Sequence, residues 1–195
     1  MTTLQFFGYL SAIVNIVALI PYIRDILKGK TKPERASWFI WTILGIIAFL
    51  SQLAKGATNS LWLVGASVFG AFVIAVLSLR YGTGGFTKRD KISLSIAGLG
   101  ILLWFFTKEA SLALYITILV NSVGSYLTTI KAFTHPNSET LSTWILATFS
   151  GIFSALSVGK LSFILLIYPL YVVIANFLVV IAILLGKRVK NRHLA

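Results

Sequence analysis

Residues 4–23 read LQFFGYLSAIVNIVALIPYI, and none of these residues carries a charge. An α-helix needs about 20 predominantly apolar residues to cross the hydrocarbon core of a bilayer. This run is therefore long enough for one transmembrane helix. No basic segment precedes it and no small-residue cleavage site follows it, so we expect a retained first span and no cleaved signal peptide.

The rest of the chain repeats this pattern. Of its 195 residues, 57% are hydrophobic and only 11% are charged, and the mean hydropathy of +0.91 lies far outside the range of soluble domains. Apolar runs alternate with short charged or glycine-containing breaks. They predict helices near residues 3–27, 36–55, 59–81, 91–107, 110–133, 141–158 and 161–186. We therefore expect an all-α, polytopic membrane protein with seven transmembrane helices.

The positions of the basic residues predict an orientation. The formal net charge is +12, and the Lys and Arg residues lie in the breaks between the apolar runs. With seven spans, only three of the 17 Lys and Arg residues fall on one side, namely Lys55, Lys108 and Lys160. Cytoplasmic connections hold the excess of Lys and Arg. This predicts an outside N-terminus and a cytoplasmic C-terminus in a plasma or inner cell membrane, and no nucleic-acid partner.

The beginning and the end of the chain resemble each other. At an offset of 106 residues, types that are rare in lipid coincide: Asn15 with Asn121, Trp38 with Trp144, Thr42 with Thr148, Gly45 with Gly151 and Ser51 with Ser157. Polar residues inside a bilayer are costly and are seldom kept without a role. The coincidences indicate a duplicated unit. Since odd-numbered spans all run in one direction, spans 1–3 and 5–7 form parallel repeats.

A 3+1+3 organisation follows from the duplication. It comprises a first three-helix repeat at 1–82, a cytoplasmic linker with an inverting fourth helix at 83–109, a second repeat at 110–188, and a basic cytoplasmic tail at 189–195. The first two spans of each repeat are joined by a connection that contains Pro and Ser. These connections read LKGKTKPERASW at 27–38 and AFTHPNSETLSTW at 132–144.

This organisation resembles the SWEET and PQ-loop superfamily of membrane transporters, whose architecture the nicotinamide riboside uptake family shares. The resemblance implies a central pocket between the two repeats, lined by asparagines and aromatic residues. The Pro-Gln pair that names the PQ-loop group is missing, because Pro21 is followed by Tyr22 and the matching part of span 5 has no proline. The subgroup therefore stays open.

Catalytic groups are scarce within the predicted spans. The chain has no cysteine, and its acidic residues and histidines fall at span ends or in connections: Asp25, Glu34, Asp90, Glu109, Glu139, His135 and His193. We therefore expect no enzyme, no metal site and no cofactor. Proton relays usually need Asp, Glu or His within the spans, so facilitated diffusion is favoured over proton coupling. A sodium site built from carbonyls and hydroxyls stays open.

At bilayer depth, the predicted spans carry neutral side chains that can form hydrogen bonds. Lipid cannot satisfy them, so they must face other helices or a wet cavity. The predicted substrate-binding residues are Asn15, Asn121, Trp38, Thr42, Trp144, Thr148, Gln52 and Asn176. The alternative for the asparagines and threonines is a role in holding helices together. Trp41 is predicted as an interfacial anchor, and Gly45 and Gly151 as points of close helix contact.

The predicted function is transport of a small neutral or weakly polar solute by alternating access. The partners are then the lipid bilayer and the solute, and a homo-oligomer is compatible with the sequence. The alternative is a non-transporting PQ-loop-like receptor, trafficking or scaffold protein that works through its basic cytoplasmic loops. An intramembrane enzyme has no nucleophile or base at depth. The identity of the solute is not indicated by the sequence.

Overall fold

The computed structural model describes residues 1–31, Pro33, 35–82 and 88–192. This part of the chain forms seven α-helices and one short 3-10 helix, and it contains no strand. The helices are α1 (Thr3–Leu27), α2 (Arg35–Ala54), α3 (Leu61–Tyr81), α4 (Lys88–Thr107), α5 (Ala110–Thr134), α6 (Leu141–Leu156) and α7 (Phe163–Arg192). The prediction of an all-α chain with seven helices is confirmed.

Four of these helices are long and apolar enough to cross a membrane. They are Thr3–Leu27, Leu61–Tyr81, Ala110–Thr134 and the Phe163–Lys190 part of α7. The apolar segments Trp38–Ala54 and Leu141–Leu156, in α2 and α6, are shorter than 18 residues. Several helices of this length and hydropathy are consistent with a membrane protein.

The helix ends follow local sequence signals. Thr2 caps α1 in a capping box with Gln5. The backbone N–H of Gln5 donates to Thr2 Oγ1 at 3.2 Å, and the backbone N–H of Thr2 donates to Gln5 Oε1 at 2.9 Å. Beyond the C-terminus of α1, Gly29 adopts a φ of +69°, which a residue without a Cβ takes up at no steric cost. Both signals lie in the sequence, and α1 has the predicted bounds.

Helix α7 extends further than the sequence predicts. Its predicted end is residue 186, but the helix continues through the basic segment to Arg192. Lys and Arg are good helix formers, and the segment contains no proline. Gly186 lies within the helix at a close contact with α5, where a side chain would collide with the Phe133 carbonyl. The segment from 189 to 192 is thus helical, and 193–195 lie outside the described residues.

The helix contacts form a closed ring. Helix α3 packs between α1 and α2, and α7 packs between α5 and α6. The ring is completed by contacts of α1 with α6 and of α2 with α5, while α4 lies outside it against α5 and α2. Six helices therefore surround a central space. We call the end where α1 and α5 finish and α2 begins the basic end.

Close contacts between helices occur at the two predicted glycines. A Cβ added to Gly45 would lie 2.7 Å from Val68 Cγ2 of α3, and one added to Gly151 would lie 2.9 Å from Val173 Cγ2 of α7. Both distances are well below normal carbon–carbon contact. Gly45 and Gly151 thus allow α2 and α6 to approach their neighbours, as the sequence predicted.

Candidate functional site

A cavity of about 750 Å³ lies within the ring of six helices. Sites for small molecules typically measure about 300–1,000 Å³, so this cavity has the volume of such a site. Every helix of the ring contributes to its wall, for example with Asn15 of α1, Trp38 of α2, Ser67 of α3, Asn121 of α5, Trp144 of α6 and Asn176 of α7.

The cavity extends to the basic end of the bundle. Gly29, Lys30 and Thr31, which follow α1, belong to its wall, together with Lys131 and Glu139. Because these residues lie at or beyond the helix ends, the cavity reaches the surface layer on this side.

Three predicted asparagines lie on the cavity wall. Asn15 is 9% exposed, and its buried Oδ1 has no hydrogen-bond partner among the described residues. Asn176 donates from Nδ2 to the Val172 carbonyl at 2.6 Å, within α7, and Asn121 faces the cavity from α5. A buried acceptor without a partner is unfavourable. Asn15 thus lines the cavity and carries a buried acceptor that has no partner among the described residues of this state.

The paired tryptophans also line the cavity, but their surroundings differ. Trp38 packs against Tyr22 of α1 with ring centroids 5.5 Å apart, and against Trp41 at 5.0 Å in an edge-on arrangement. Trp144 instead donates its indole N–H to Glu139 Oε2 at 3.1 Å. The surroundings of Trp38 in the first half of the chain are thus aromatic, whereas those of Trp144 in the second half are polar.

Glu139 links α5 and α6 at the mouth of the cavity. Only 7% of its side chain is exposed, and Oε1 lies 3.1 Å from the Lys131 ammonium. A carboxylate this buried needs such partners to stay charged. Lys30 adds a second ammonium group to the wall. In the described part of the chain, no three of the His, Asp and Glu side chains lie close enough together to hold a metal ion.

Three predicted site residues do not line the cavity. Thr42 and Thr148 each donate a hydroxyl hydrogen to the carbonyl one turn earlier in their own helix, that of Trp38 or Trp144, at 2.8 Å. Gln52 is fully buried near the opposite end of α2. On this face of α2, Trp38 and Gly45 line the cavity, whereas Thr42 and the deeper Gln52 do not.

Several residues that the sequence analysis did not select do line the cavity. Trp41, predicted as an interfacial anchor, also lines the cavity next to Gly124 of α5, with 3.3 Å between its Nε1 and a Cβ placed on that glycine. Tyr171 of α7 shares a 2.9 Å hydrogen bond with Ser125 of α5. Ser125 lies one helical turn from Asn121, so this spacing could have identified it.

The cavity floor is an apolar layer at its inner limit. Ala48 of α2, Val64 of α3, Leu114 of α5 and Tyr168 of α7 pack together there as buried residues, and we call them the closing cluster. Leu44, one turn nearer the basic end than Ala48, still lines the cavity. The cavity is therefore open toward the basic end and is closed at its other limit by the side chains of the closing cluster.

An ion pair lies beyond the closing cluster, at the surface opposite the basic end. The Lys55 ammonium, just after α2, lies 2.8 Å and 3.0 Å from the two carboxylate oxygens of Glu109, just before α5. The hydrogen bond from Lys55 is the main cause of a lowered pKa at Glu109, and a hydrogen bond from Ser111 adds to it. The pair joins the two helices that end and begin on this side.

Similarity to other proteins does not constrain the site further. No family model matches the chain, and no curated protein or solved structure is significantly similar to it. The family resemblance inferred from the sequence stays a prediction. A functional assignment therefore rests on the cavity and on the side chains in its wall.

Proposed function

We propose that the protein is an integral membrane transporter that moves a small neutral or weakly polar solute by alternating access, without proton coupling. The observation that carries this proposal is the cavity of about 750 Å³ to which all six helices of the ring contribute. A receptor or scaffold that works through its loops needs no such cavity inside the bundle. A transporter does, because its solute must pass between the helices.

The helix contacts support two parallel three-helix repeats joined by α4. In the proposed arrangement α1–α3 and α5–α7 are the repeats, so α1 corresponds to α5 and α2 corresponds to α6. The contact of α1 with α6 then has its equivalent in the contact of α5 with α2. Both contacts are present. Each repeat also places its third helix between the first two. Alternating access is then rocking of one repeat against the other around a central site.

The shape of the cavity supports a form that is open to the cytoplasm. The proposed orientation assigns the basic end to the cytoplasm because Lys and Arg concentrate there. The cavity reaches that end, whereas the closing cluster and the Lys55–Glu109 pair lie on the other side. The structure therefore corresponds, in this proposal, to an inward-open state.

The cavity wall supports a solute that is recognised by hydrogen bonds and by contact with aromatic rings. Asn15, Asn121 and Asn176 supply amide groups at three sides of the wall, and Trp38 and Trp41 supply ring surfaces. Glu139 is paired with Lys131. Neutral donors and acceptors thus dominate the inner part of the cavity, and the charged groups lie at its mouth.

A thermal-shift screen of the purified protein against small metabolites tests the proposal. A solute that binds the folded state stabilises it by about 2.7 kcal/mol at a concentration of 100 times its Kd. We expect at least one neutral metabolite to raise the melting temperature of the natural chain and to have no effect on a variant with Asn15→Ala and Asn121→Ala. The control is Thr42→Ala, which alters a predicted residue outside the cavity wall and should retain the shift.

A shift that survives unchanged in the double asparagine variant would contradict this site. The alternative, a receptor or scaffold, predicts that neutralising Lys28, Lys30, Lys32 and Arg35 abolishes the cellular function while the cavity variants remain active.

A further inference from the structure

Helix α7 is longer than the hydrocarbon core of a bilayer. Its 30 residues give a length of about 45 Å at a rise of 1.5 Å per residue. The hydrocarbon core is about 30 Å thick, and the bilayer with its headgroup regions is about 40–45 Å thick. The apolar part of α7 ends at Leu185, about 33 Å from the start of the helix. In a membrane-spanning α7, the basic turn that follows therefore lies at the depth of the lipid headgroups.

One face of α7 packs against the bundle as far as this turn. Val179 and Ile183 are buried in one cluster with Ala132 of α5. Gly186 continues the same face and lies against the Phe133 carbonyl near the end of α5. This contact fixes the basic turn of α7 at the basic end of the bundle.

The opposite face of α7 is apolar and exposed. Its hydrophobic residues are each at least 45% exposed: Leu170, Ile174, Phe177, Leu178, Leu184 and Leu185. Spacings of three, four and seven residues place them on one side of the helix. An apolar face this exposed contacts acyl chains when the helix spans a bilayer, because lipid tails are as apolar as leucine.

Lys187 and Arg188 continue this exposed face. Lys187 follows Leu184 by three residues, and Arg188 follows Leu185 by three, so both cations lie one turn beyond the leucines on the same side of α7. Both are exposed, and neither forms an ion pair with a described residue. Two cations without a compensating charge therefore lie at headgroup depth, next to the face that contacts acyl chains.

The ends of α1 and α3 show the same arrangement. Arg24 is exposed one turn after Ile20, which is 58% exposed, and Arg80 is exposed one turn after Val76, which is 48% exposed. Helix α3 finishes at the basic end as α1 does, because Arg35 Nε at the start of α2 donates to the carbonyl of Ser78 near the end of α3 at 3.2 Å. A cation at the end of an exposed apolar face thus recurs in three helices on one side of the bundle.

We propose that Lys187 and Arg188 bind the phosphate of an anionic phospholipid in the leaflet at the basic end, with its acyl chains along Leu184 and Leu185. An Arg guanidinium can donate two parallel hydrogen bonds to phosphate oxygens, and a Lys ammonium adds a compact positive charge. A zwitterionic headgroup carries its own ammonium group, so the two cations favour an anionic one. A soluble acidic partner would not account for the apolar face directly beside the cations.

This inference rests on the membrane-spanning part of the proposed function and does not require transport. Thermal unfolding in detergent micelles that contain phosphatidylglycerol or phosphatidylcholine tests it, because a lipid that binds the folded state raises the melting temperature. We expect phosphatidylglycerol to raise the melting temperature of the natural chain more than phosphatidylcholine does at the same mole fraction. The difference should disappear at about 1 M salt, where the Debye length is about 3 Å.

The variant with Lys187→Gln and Arg188→Gln removes both cations and leaves the packed face of α7 intact. Each cation strengthens attraction to an anionic lipid surface by about fivefold, so the phosphatidylglycerol concentration that gives half of the shift should rise about 25-fold. The control with Lys160→Gln and Lys190→Gln removes the same charge. Lys160 follows α6 at the opposite end, and Lys190 lies one turn after Gly186 on the packed side of α7.

The control should leave the half-shift concentration nearly unchanged. Without lipid, both double variants should unfold like the natural chain, because the altered side chains are exposed. An equal response of the natural chain to the two lipids, or an equal loss of response in the two double variants, would overturn the inference. Stabilisation by polyglutamate in place of phosphatidylglycerol would also overturn it, because the cations would then serve a soluble acidic partner.

The proposed function is tested separately in the same micelles. Lys187 and Arg188 do not line the cavity, so both double variants should retain the thermal shift caused by a metabolite that binds there. A metabolite shift without preference for phosphatidylglycerol would overturn the lipid site alone. Preference for phosphatidylglycerol without a shift by any metabolite would instead contradict the transporter proposal.

Discussion

The substitution Gln52→Met tests whether the buried amide of Gln52 lowers the stability of the folded protein. Gln52 is fully buried with both polar atoms of its amide unpartnered among the described residues. An unsatisfied buried polar group costs about 1–3 kcal/mol. Methionine has the same unbranched length and adapts to its surroundings, so the substitution removes the polar atoms with little change in volume.

The expected gain in stability is therefore about 1–3 kcal/mol. For a chain of 195 residues, each kcal/mol shifts the melting temperature by about 2–4 °C, so Gln52→Met should raise it by roughly 2–12 °C.

Thermal unfolding of the purified variant, followed by tryptophan fluorescence, measures this gain in stability. The control is Ser78→Ala, since Ser78 is also fully buried but its hydroxyl donates to the Ala75 carbonyl at 2.6 Å. Its loss should lower stability by about 1 kcal/mol. A melting temperature that falls for Gln52→Met as it does for Ser78→Ala would refute the reasoning, because it would mean that the amide is satisfied in the folded protein.

Three further predictions concern packing, the ion pair and the cavity mouth. Gly45→Ala should destabilise the protein by about 1–3 kcal/mol in thermal unfolding because its methyl group would collide with Val68, whereas Gly98→Ala, which meets no atom within 4 Å, should be neutral or slightly stabilising. The lowered pKa of Glu109 predicts that its ion pair stabilises the folded state above the ordinary carboxyl value of about 4.5 and that this contribution is lost as the pH falls below it. The melting temperatures of the natural chain and Glu109→Gln should therefore converge in acid, and a constant difference would contradict this. Trp144→Phe removes a hydrogen bond to a buried carboxylate and should cost about 1.5–3 kcal/mol in thermal unfolding, against little change for Trp62→Phe at an exposed ring.

The helices were predictable from the sequence because each one is an apolar run with local end signals. The bounds of α1 agree with the prediction, and its capping residue Thr2 and the terminal Gly29 are both visible in the sequence. The extension of α7 was missed because a switch from apolar to basic residues marks the limit of a span but does not end a helix. Hydropathy marks the part of a helix that is apolar enough to lie in a membrane, whereas the helix itself continues as long as the residues favour helical backbone.

The cavity was predictable only in part. The internal repeat identified Asn15, Asn121, Trp38 and Trp144, all of which line it. Helical periodicity places Thr42 and Gln52 on the same face of α2 as Trp38. It does not show whether a hydroxyl donates to its own helix or which level of the bundle is closed.

The sequence did not select Trp41 as a cavity residue for a related reason. Its place on the cavity wall depends on the approach of α5 at Gly124, which is a property of helix packing. Composition near a helix end cannot distinguish this arrangement from an interfacial anchor.

Uptake of a solute identified by thermal shift into vesicles tests the central proposal most directly. The natural chain should accelerate uptake until the concentrations inside and outside are equal, as facilitated diffusion requires. The variant with Asn15→Ala and Asn121→Ala should transport at least tenfold more slowly while remaining folded, and Thr42→Ala should transport at the natural rate. Unchanged uptake by the folded double variant would contradict the account.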